Sequence, residues 1–176
     1  MKRIVIVAIV LALLAMPAFS QVRLDIGVIV PRGAGVSGDN GSVGGVLSDW
    51  PFIPIPEAGL YYQWDLGLLK LGLGARAESL LLETFLWPNA LAEVDIGPVA
   101  IEGKFGGGAF LMFGLDNNSA TGKVFFPDLS AWFKLGKKGN FRLGGGVVGI
   151  YVPDSEFFGN NMIYLLYLAG KASIML

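Results

Sequence analysis

The side chains of this sequence that could do chemistry are charged residues spaced two apart and alternating with apolar ones. Glu93 and Asp95 form one such pair, and Arg76 and Glu78 form another. On a β-strand this spacing places both side chains on one face, where two carboxylates could act as acid and base or opposite charges could pair. We expect a structural or pore-lining role for them, since paired charges on a strand face are more often structural than catalytic. The full set is Arg23, Asp25, Glu57, Lys70, Arg76, Glu78, Glu93, Asp95, Glu102, Lys104, Asp128, Lys134, Arg142 and Lys171.

Catalytic chemistry has few residues available. The sequence contains no histidine and no cysteine, so a serine nucleophile would lack its usual proton acceptor, and no thiol or disulfide can form. An acid pair such as Glu93 and Asp95 stays formally open as a catalytic dyad. We expect no catalytic residue, no cofactor and no metal site, and therefore no enzyme.

Two short motifs fail the spacing tests of the sites that they suggest. Five residues separate Gly97 from Gly103 and a phenylalanine follows Lys104, whereas a P-loop has four residues between its glycines and then serine or threonine. The run 116–119 starts like a calcium loop, but Ala120 breaks the alternation of ligands. We interpret the first motif as strand glycines and the second as a polar loop tip.

The elements that position the charged residues are alternating segments typical of β-strands. In the first, Val22, Leu24 and Ile26 alternate with Arg23 and Asp25. In every such segment the charges fall on one face, and the other face carries no lysine or arginine, which at the centre of a bilayer would cost about 2–4 kcal/mol. The eight segments are 22–30, 57–64, 69–78, 89–96, 99–113, 128–135, 141–151 and 164–176.

Some residues do not follow the alternation. Pro127 and Trp132 fit their segment poorly, and Ile150, Leu165 and Tyr167 place apolar bulk on the charged face. We attribute them to packing among the charged side chains.

The first twenty residues have the features of a signal peptide. Lys2 and Arg3 precede an apolar stretch, 4–16, that is shorter than a spanning helix, and Ala18 and Ser20 supply small residues before a cut at Gln21. The domain is then 21–176. Removing the leader leaves 11 basic and 14 acidic residues, a net charge near −3, so nucleic acid is not expected as a partner. An uncleaved anchor is the alternative.

The remaining chain is hydrophobic but has no spanning helix. Its mean hydropathy is +0.60 with 15% charged residues, and the longest apolar run beyond the leader, 162–170, covers about half of the roughly 20 residues a spanning helix requires. A closed barrel also pairs every backbone group inside a bilayer. The pattern therefore predicts an all-β fold: an eight-stranded antiparallel up-and-down transmembrane barrel.

Connections and aromatic residues support this prediction. Long connections at 31–50, 80–88, 115–123 and 153–160 alternate with short ones at 65–67, 97–98 and 136–140, as in a barrel with both termini in the periplasm. Aromatic residues near the strand ends predict two interfacial girdles. The girdle at the long connections comprises Trp50, Phe52, Phe85, Trp87, Phe113, Phe125, Tyr151, Phe157, Phe158 and Tyr164; the other comprises Tyr62, Trp64, Phe133 and Phe141.

In mature length, leader, alternating connections and final strand, residues 21–176 resemble small eight-stranded outer-membrane barrels, the OmpX type and the OmpA transmembrane domain. The resemblance implies the outer membrane of a diderm bacterium, contact with outer-membrane lipid, and the barrel assembly machinery as a partner in biogenesis. The final strand keeps the family's apolar alternation from Tyr164 to Ile174 but ends in Leu176 instead of an aromatic residue. No motif matches residue by residue, so no functional site is implied.

Eight strands enclose a space that side chains can fill. The charged set has seven acidic and seven basic members, which predicts a paired network in the lumen with room made by Gly72, Gly74, Gly106, Gly108, Gly144 and Gly146. The first reading is a structural barrel or one that interacts through its loops, foremost the loop 31–50, with an unidentified extracellular partner. The alternatives are a narrow channel for small or lipophilic solutes and a secreted lipocalin-like carrier with its faces reversed.

Overall fold

The computed structural model describes residues 20–37, 53–80, 82–114, 118–136, 138–153 and 162–176, with the backbone alone at Ser20 and at 118–123. The predicted leader lies outside these residues except for Ser20, which already belongs to the first strand and pairs with Trp64. The cleavage site before Gln21 stays a prediction.

The described chain forms eight antiparallel strands in one closed barrel, as predicted. Each strand pairs with the next one in sequence, and the last pairs with the first, so the sheet has no free edge. The strands are β1 (Ser20–Ser37), β2 (Ile55–Asp65), β3 (Leu69–Leu80), β4 (Glu83–Ile96), β5 (Val99–Phe113), β6 (Asn118–Leu135), β7 (Phe141–Tyr151) and β8 (Met162–Met175).

Several strands run further than the sequence predicted, and two predicted long connections are wrong. Residues 83–88 belong to β4 and 118–123 to β6, which leaves connections of only 81–82 and 114–117. Proline and glycine in these stretches were interpreted as loop signals. Irregularities in register instead let the strands continue, for example after Pro31 in β1 and between Leu86 and Asn89 in β4.

The two ends of the barrel differ in their connections. We call the end with the connections 38–54, 81–82, 114–117 and 152–161 the mouth end. The other end, with the connections 66–68, 97–98 and 136–140, the start of β1 and the end of β8, is the turn end. At the turn end, Gly97 has a φ of +61° in the two-residue connection between β4 and β5, a conformation that glycine adopts without strain.

The outer face of the wall is apolar. Leu60, Leu73 and Leu168, on three different strands, are 52%, 57% and 55% exposed. The described residues include no helix of the length and apolarity needed to cross a membrane.

Candidate functional site in the barrel lumen

The structure places all fourteen charged residues of the predicted set on the inner face of the wall. Lys70, Glu78, Asp95 and Lys134 are half-buried and the other ten are buried. Their contacts cross the interior, because they join strands that are not neighbours in the sheet. Arg23 of β1, for instance, contacts Glu93 of β4, so the pairs fill the lumen.

Arg23 is the centre of the larger group of charges, which we call the turn-end network. Its guanidinium contacts Asp25 at 2.7 Å, Glu93 at 2.5 Å and Glu102 at 2.6 Å. It also donates to the amide oxygen of Gln63 at 3.1 Å. One fully buried cation thus ties β1 to β2, β4 and β5. The network comprises Arg23, Asp25, Lys70, Glu93, Asp95, Glu102, Lys104, Lys134, Arg142 and Lys171.

Every carboxylate at the centre of the turn-end network is shared between bases. Arg142 donates to both oxygens of Glu93, at 2.7 and 3.1 Å. Lys171 contacts both oxygens of Glu102, at 2.6 and 2.8 Å, and Lys104 contacts Glu102 at 3.0 Å. Charges buried this deeply are tolerated only when they are paired and hydrogen-bonded. The network therefore connects strands on opposite sides of the barrel through its interior.

Two lysines complete the turn-end network nearest the turns. The carboxylate of Asp95 accepts from Lys70 at 2.5 Å and from Lys134 at 2.9 Å. The sequence suggested Glu93 and Asp95 as a formal acid pair, but each carboxylate is occupied by basic side chains. Neither is positioned as a free acid or base.

A second, smaller group lies nearer the mouth and is acidic on balance. Arg76 contacts Glu57 at 2.9 Å, Glu78 at 2.8 Å and Asp128 at 2.5 Å. The hydroxyl of Tyr167 donates to Asp128 at 2.6 Å. We call these five residues the Arg76 cluster. It joins β2, β3, β6 and β8 with one guanidinium against three carboxylates.

Aromatic bulk that the sequence left unexplained fills the lumen between the charges. Trp132 is 1% exposed and donates from its indole nitrogen to Ser130 at 2.8 Å. The ammonium of Lys171 lies 4.3 Å from the centre of the Trp132 ring, within the range of a cation–π interaction. Tyr61 is equally buried. Charge pairing and aromatic packing together obstruct the turn-end half of the lumen.

Two of the inward glycines, Gly106 and Gly146, make room for these rings. A Cβ at Gly106 would lie 2.4 Å from a carbon of the Trp87 ring, and one at Gly146 would lie 2.8 Å from the Tyr167 hydroxyl. Gly108 was also predicted to be an inward glycine that makes room in the lumen, and this is wrong. It has a φ of +79° in an irregular stretch of β5. Nothing lies within 4 Å of a Cβ built there, so no lumen side chain packs against this position.

In the mouth-end half, the lumen-facing side chains of the described residues are mostly apolar and leave space between them. Above the Arg76 cluster lies a cavity of about 370 Å³, which we call the mouth cavity. The apolar bulk of Ile150 and Leu165, unexplained by the sequence, lines it. The lining residues are Ile55, Glu78, Leu80, Phe85, Trp87, Phe110, Val124, Phe126, Ile150 and Leu165.

The cavity corrects part of the girdle prediction. Phe85 and Trp87 were assigned to the outer girdle, but both line the lumen, and Trp87 packs against Phe126 with ring centres 4.7 Å apart. The assignment failed because 80–88 was taken as a loop and given no inward or outward phase. Continuing the period of two back from Asn89 would have placed both residues on the inner face.

Other predicted girdle residues do face outward. At the turn end, Tyr62 packs edge-on against Trp64 with centres 5.2 Å apart, and Phe133 and Phe141 are exposed. At the mouth end Phe113 is exposed, and Phe125 stacks on the outward Phe105, while Tyr151 and Tyr164 are half-buried. Trp50, Phe52, Phe157 and Phe158 lie outside the described residues.

Within the described ranges, no group of three or more acidic residues is arranged to hold a metal ion. The motif at 116–119 falls partly outside those ranges, and Gly97 and Gly103 belong to a turn and to β5. A lipocalin-like carrier was expected to expose the charged face. The structure has the opposite orientation, with charges inside and apolar residues outside.

No family model and no curated protein matches this chain. It is similar to the solved structure of Neisserial surface protein A, at 10% identity and a TM-score of 0.46, over 87% of this chain and 97% of that one. It is also similar to the outer membrane enzyme PagL, at 15% identity and a TM-score of 0.44, over 85% and 99%. A third is outer membrane protein OprG of Pseudomonas aeruginosa, at 10% identity and a TM-score of 0.36, over 89% and 97%.

Proposed function

We propose that this chain is an integral outer-membrane barrel whose obstructed lumen makes it an anchor for interactions at the mouth end. One observation carries the proposal. The wall is apolar on its outer face, while its predicted set of charged side chains faces inward and pairs there.

The outer face supports a lipid environment. Exposed large apolar residues occur on every strand, for example Ile26 on β1, Ile101 on β5 and Leu143 on β7. Soluble monomers rarely expose contiguous apolar patches above a few hundred Å². Wrapping such a surface around a whole barrel in water would be unfavourable, whereas acyl chains cover it without cost.

The predicted leader and the closed barrel support export and insertion into the outer membrane of a diderm bacterium. The partners in this proposal are outer-membrane lipid and, during biogenesis, the barrel assembly machinery.

A role as an anchor is favoured over a role as a channel by the packed turn-end half. A solute would have to separate Arg23 from Glu93 and Glu102, three side chains with no exposure, and breaking one such buried pair costs about 3–5 kcal/mol. A non-enzymatic role fits the occupied carboxylates. The extracellular partner would meet the mouth-end connections, foremost 38–54.

Fractionation with gel mobility in detergent tests this proposal. We expect the expressed full chain in the outer-membrane fraction, as a band whose mobility changes on heating. A chain lacking residues 1–20 is the control and should stay in the cytoplasm. Recovery of the full chain as an aqueous periplasmic protein would contradict the proposal. Steady single-channel conductance in planar bilayers would favour the narrow channel over the anchor.

A further inference from the structure

The mouth cavity has the size and shape of a small-molecule site. Its volume of about 370 Å³ lies at the lower end of the roughly 300–1,000 Å³ that such sites occupy. It is lined by side chains of β2 to β8, and nine of its ten lining residues are apolar. The size favours a compact ligand, and the lining favours a ligand that is apolar over most of its surface.

The aromatic residues of the lining favour positive charge. Trp87 packs on Phe126, and Phe85 lies on the same strand as Trp87. Aromatic faces attract cations within about 6 Å of the ring centre. The Arg76 guanidinium already lies 6.0 Å from the centre of the Trp87 ring. A ligand cation could use the other rings of the lining.

The floor of the cavity has an excess of negative charge, with three carboxylates against Arg76 and Lys104, since Lys104 also interacts electrostatically with Glu57 and Glu78. The Arg76 cluster sets one guanidinium against Glu57, Glu78 and Asp128. The Glu78 side chain is 23% exposed, against 5% for Glu57 and 0% for Asp128. Glu78 is also the charged member of the cavity lining. It is therefore the carboxylate that a ligand in the cavity can reach.

We propose that the mouth cavity binds a compact apolar amine. Its ammonium group contacts Glu78 on the floor, and its hydrocarbon body packs against Phe85, Phe126 and Leu165. This goes beyond the role of a membrane anchor. The site lies inside the barrel whatever surrounds the wall, so its test can fail while the membrane proposal stands.

Three ligands with one hydrocarbon cage and different head groups test the proposal: adamantylamine, adamantanol and adamantane carboxylate. Each is titrated calorimetrically into the full chain in lipid nanodiscs, and the heat of empty nanodiscs is subtracted. We expect the amine to bind about tenfold more tightly than the alcohol, because the charge-assisted contact with Glu78 is made only by the amine. The carboxylate should not bind.

Two variants and a control locate the site. Ile150→Phe fills the cavity and should weaken the amine and the alcohol alike, by about tenfold or more. Glu78→Gln should weaken the amine about tenfold and leave the alcohol within about twofold. Ile101→Phe adds the same ring to the outer face and should change neither. The heat-modifiable band establishes that each variant is folded.

Equal binding of all three ligands would overturn the choice of an amine. Unchanged binding to Ile150→Phe would overturn the location. Absence of heat beyond that of empty nanodiscs would overturn the site altogether, including the case in which a lipid chain or a mouth-end connection already occupies the cavity.

Discussion

The two halves of the lumen differ in the side chains that occupy them. In the turn-end half, charged side chains from five strands meet around Arg23 and Glu102, and Trp132 fills the space beside them. In the mouth-end half, Phe85 and Leu165 line a cavity that the described side chains leave unfilled. Both halves are enclosed by the same eight strands, and they differ in the chemistry of the side chains that face inward.

This difference has consequences for stability and for function. A buried charge network is costly to disturb, because each member left behind loses its partner in a medium of low dielectric constant. The side chains that line an apolar cavity lack part of the van der Waals contacts that they would make in a filled core. We therefore expect the turn-end half to hold the barrel together and the mouth-end half to tolerate change. Four predictions of unfolding free energy, measured by urea titration from lipid vesicles, test this contrast.

The largest effect is expected for Glu102→Leu. The variant leaves Arg23, Lys171 and Lys104 facing a side chain without charge, where they now share the Glu102 carboxylate. We expect the free energy of unfolding to fall by about 3–5 kcal/mol. Ile101→Leu, one residue away on the outer face, is the control and should change it by less than about 0.5 kcal/mol. Equal changes in the free energy of unfolding for the two variants would contradict the claim that the turn-end network stabilises the barrel more than the outer face does.

Tyr167→Phe tests the boundary between the halves. The variant removes the hydroxyl that donates to Asp128 at 2.6 Å and leaves the ring in place. A hydrogen bond to a charged group contributes about 1.5–3 kcal/mol, so we expect a loss in that range. Tyr151→Phe, at an outward tyrosine of β7, serves as control. If Tyr167→Phe unfolds like the unmodified chain, the Arg76 cluster is held by Arg76 alone.

Leu165→Ala enlarges the mouth cavity. In a packed core this change costs about 2–5 kcal/mol, but Leu165 already borders open space. We expect a loss of roughly 1–2 kcal/mol, because the side chain has fewer contacts to lose. A loss in the range of a packed core would mean that the cavity is filled in the folded protein.

Adding aliphatic bulk should have opposite effects in the two halves. Val124→Leu extends into the mouth cavity and should stabilise the barrel by up to about 0.8 kcal/mol. Ala100→Val adds bulk at a position with 0% exposure beside Trp132 and should destabilise it by about 1–3 kcal/mol. Destabilisation by both variants would show that the two halves are packed alike.

The sequence predicts the wall better than the lumen. Alternation placed Leu60 and Leu168 on the face opposite to that of the charged residues, including Glu102 and Arg142, because a period of two fixes the relative side of each residue once a strand is recognised. The membrane-barrel interpretation then assigned the apolar face outward. It could not identify partners such as Arg76 and Asp128. These residues lie on β3 and β6, and their meeting depends on strand tilt and stagger around the barrel.

The strand ends at the mouth were also difficult to predict. Residues 80–88, with Pro88 at their end, were interpreted as a loop, yet β4 continues through them with a register shift between Leu86 and Asn89. This error concealed the inward phase of Phe85 and Trp87 and with it the mouth cavity. The loss of alternation at Ile150 and Leu165 was a signal of the cavity, since apolar residues on a charged face need an apolar surrounding.

The central claim is that the apolar face of the wall contacts lipid, and spin labelling tests it most directly. The chain has no cysteine, so Leu60→Cys, Leu143→Cys and Leu168→Cys each give one labelling site on the outer face, and Lys138→Cys gives a control in a turn-end connection. After nitroxide labelling and insertion into vesicles, we predict that the three outer labels collide more often with dissolved oxygen than with a water-soluble nickel chelate, and that the control shows the reverse. Nickel accessibility at the three outer positions equal to that of the control would contradict the account.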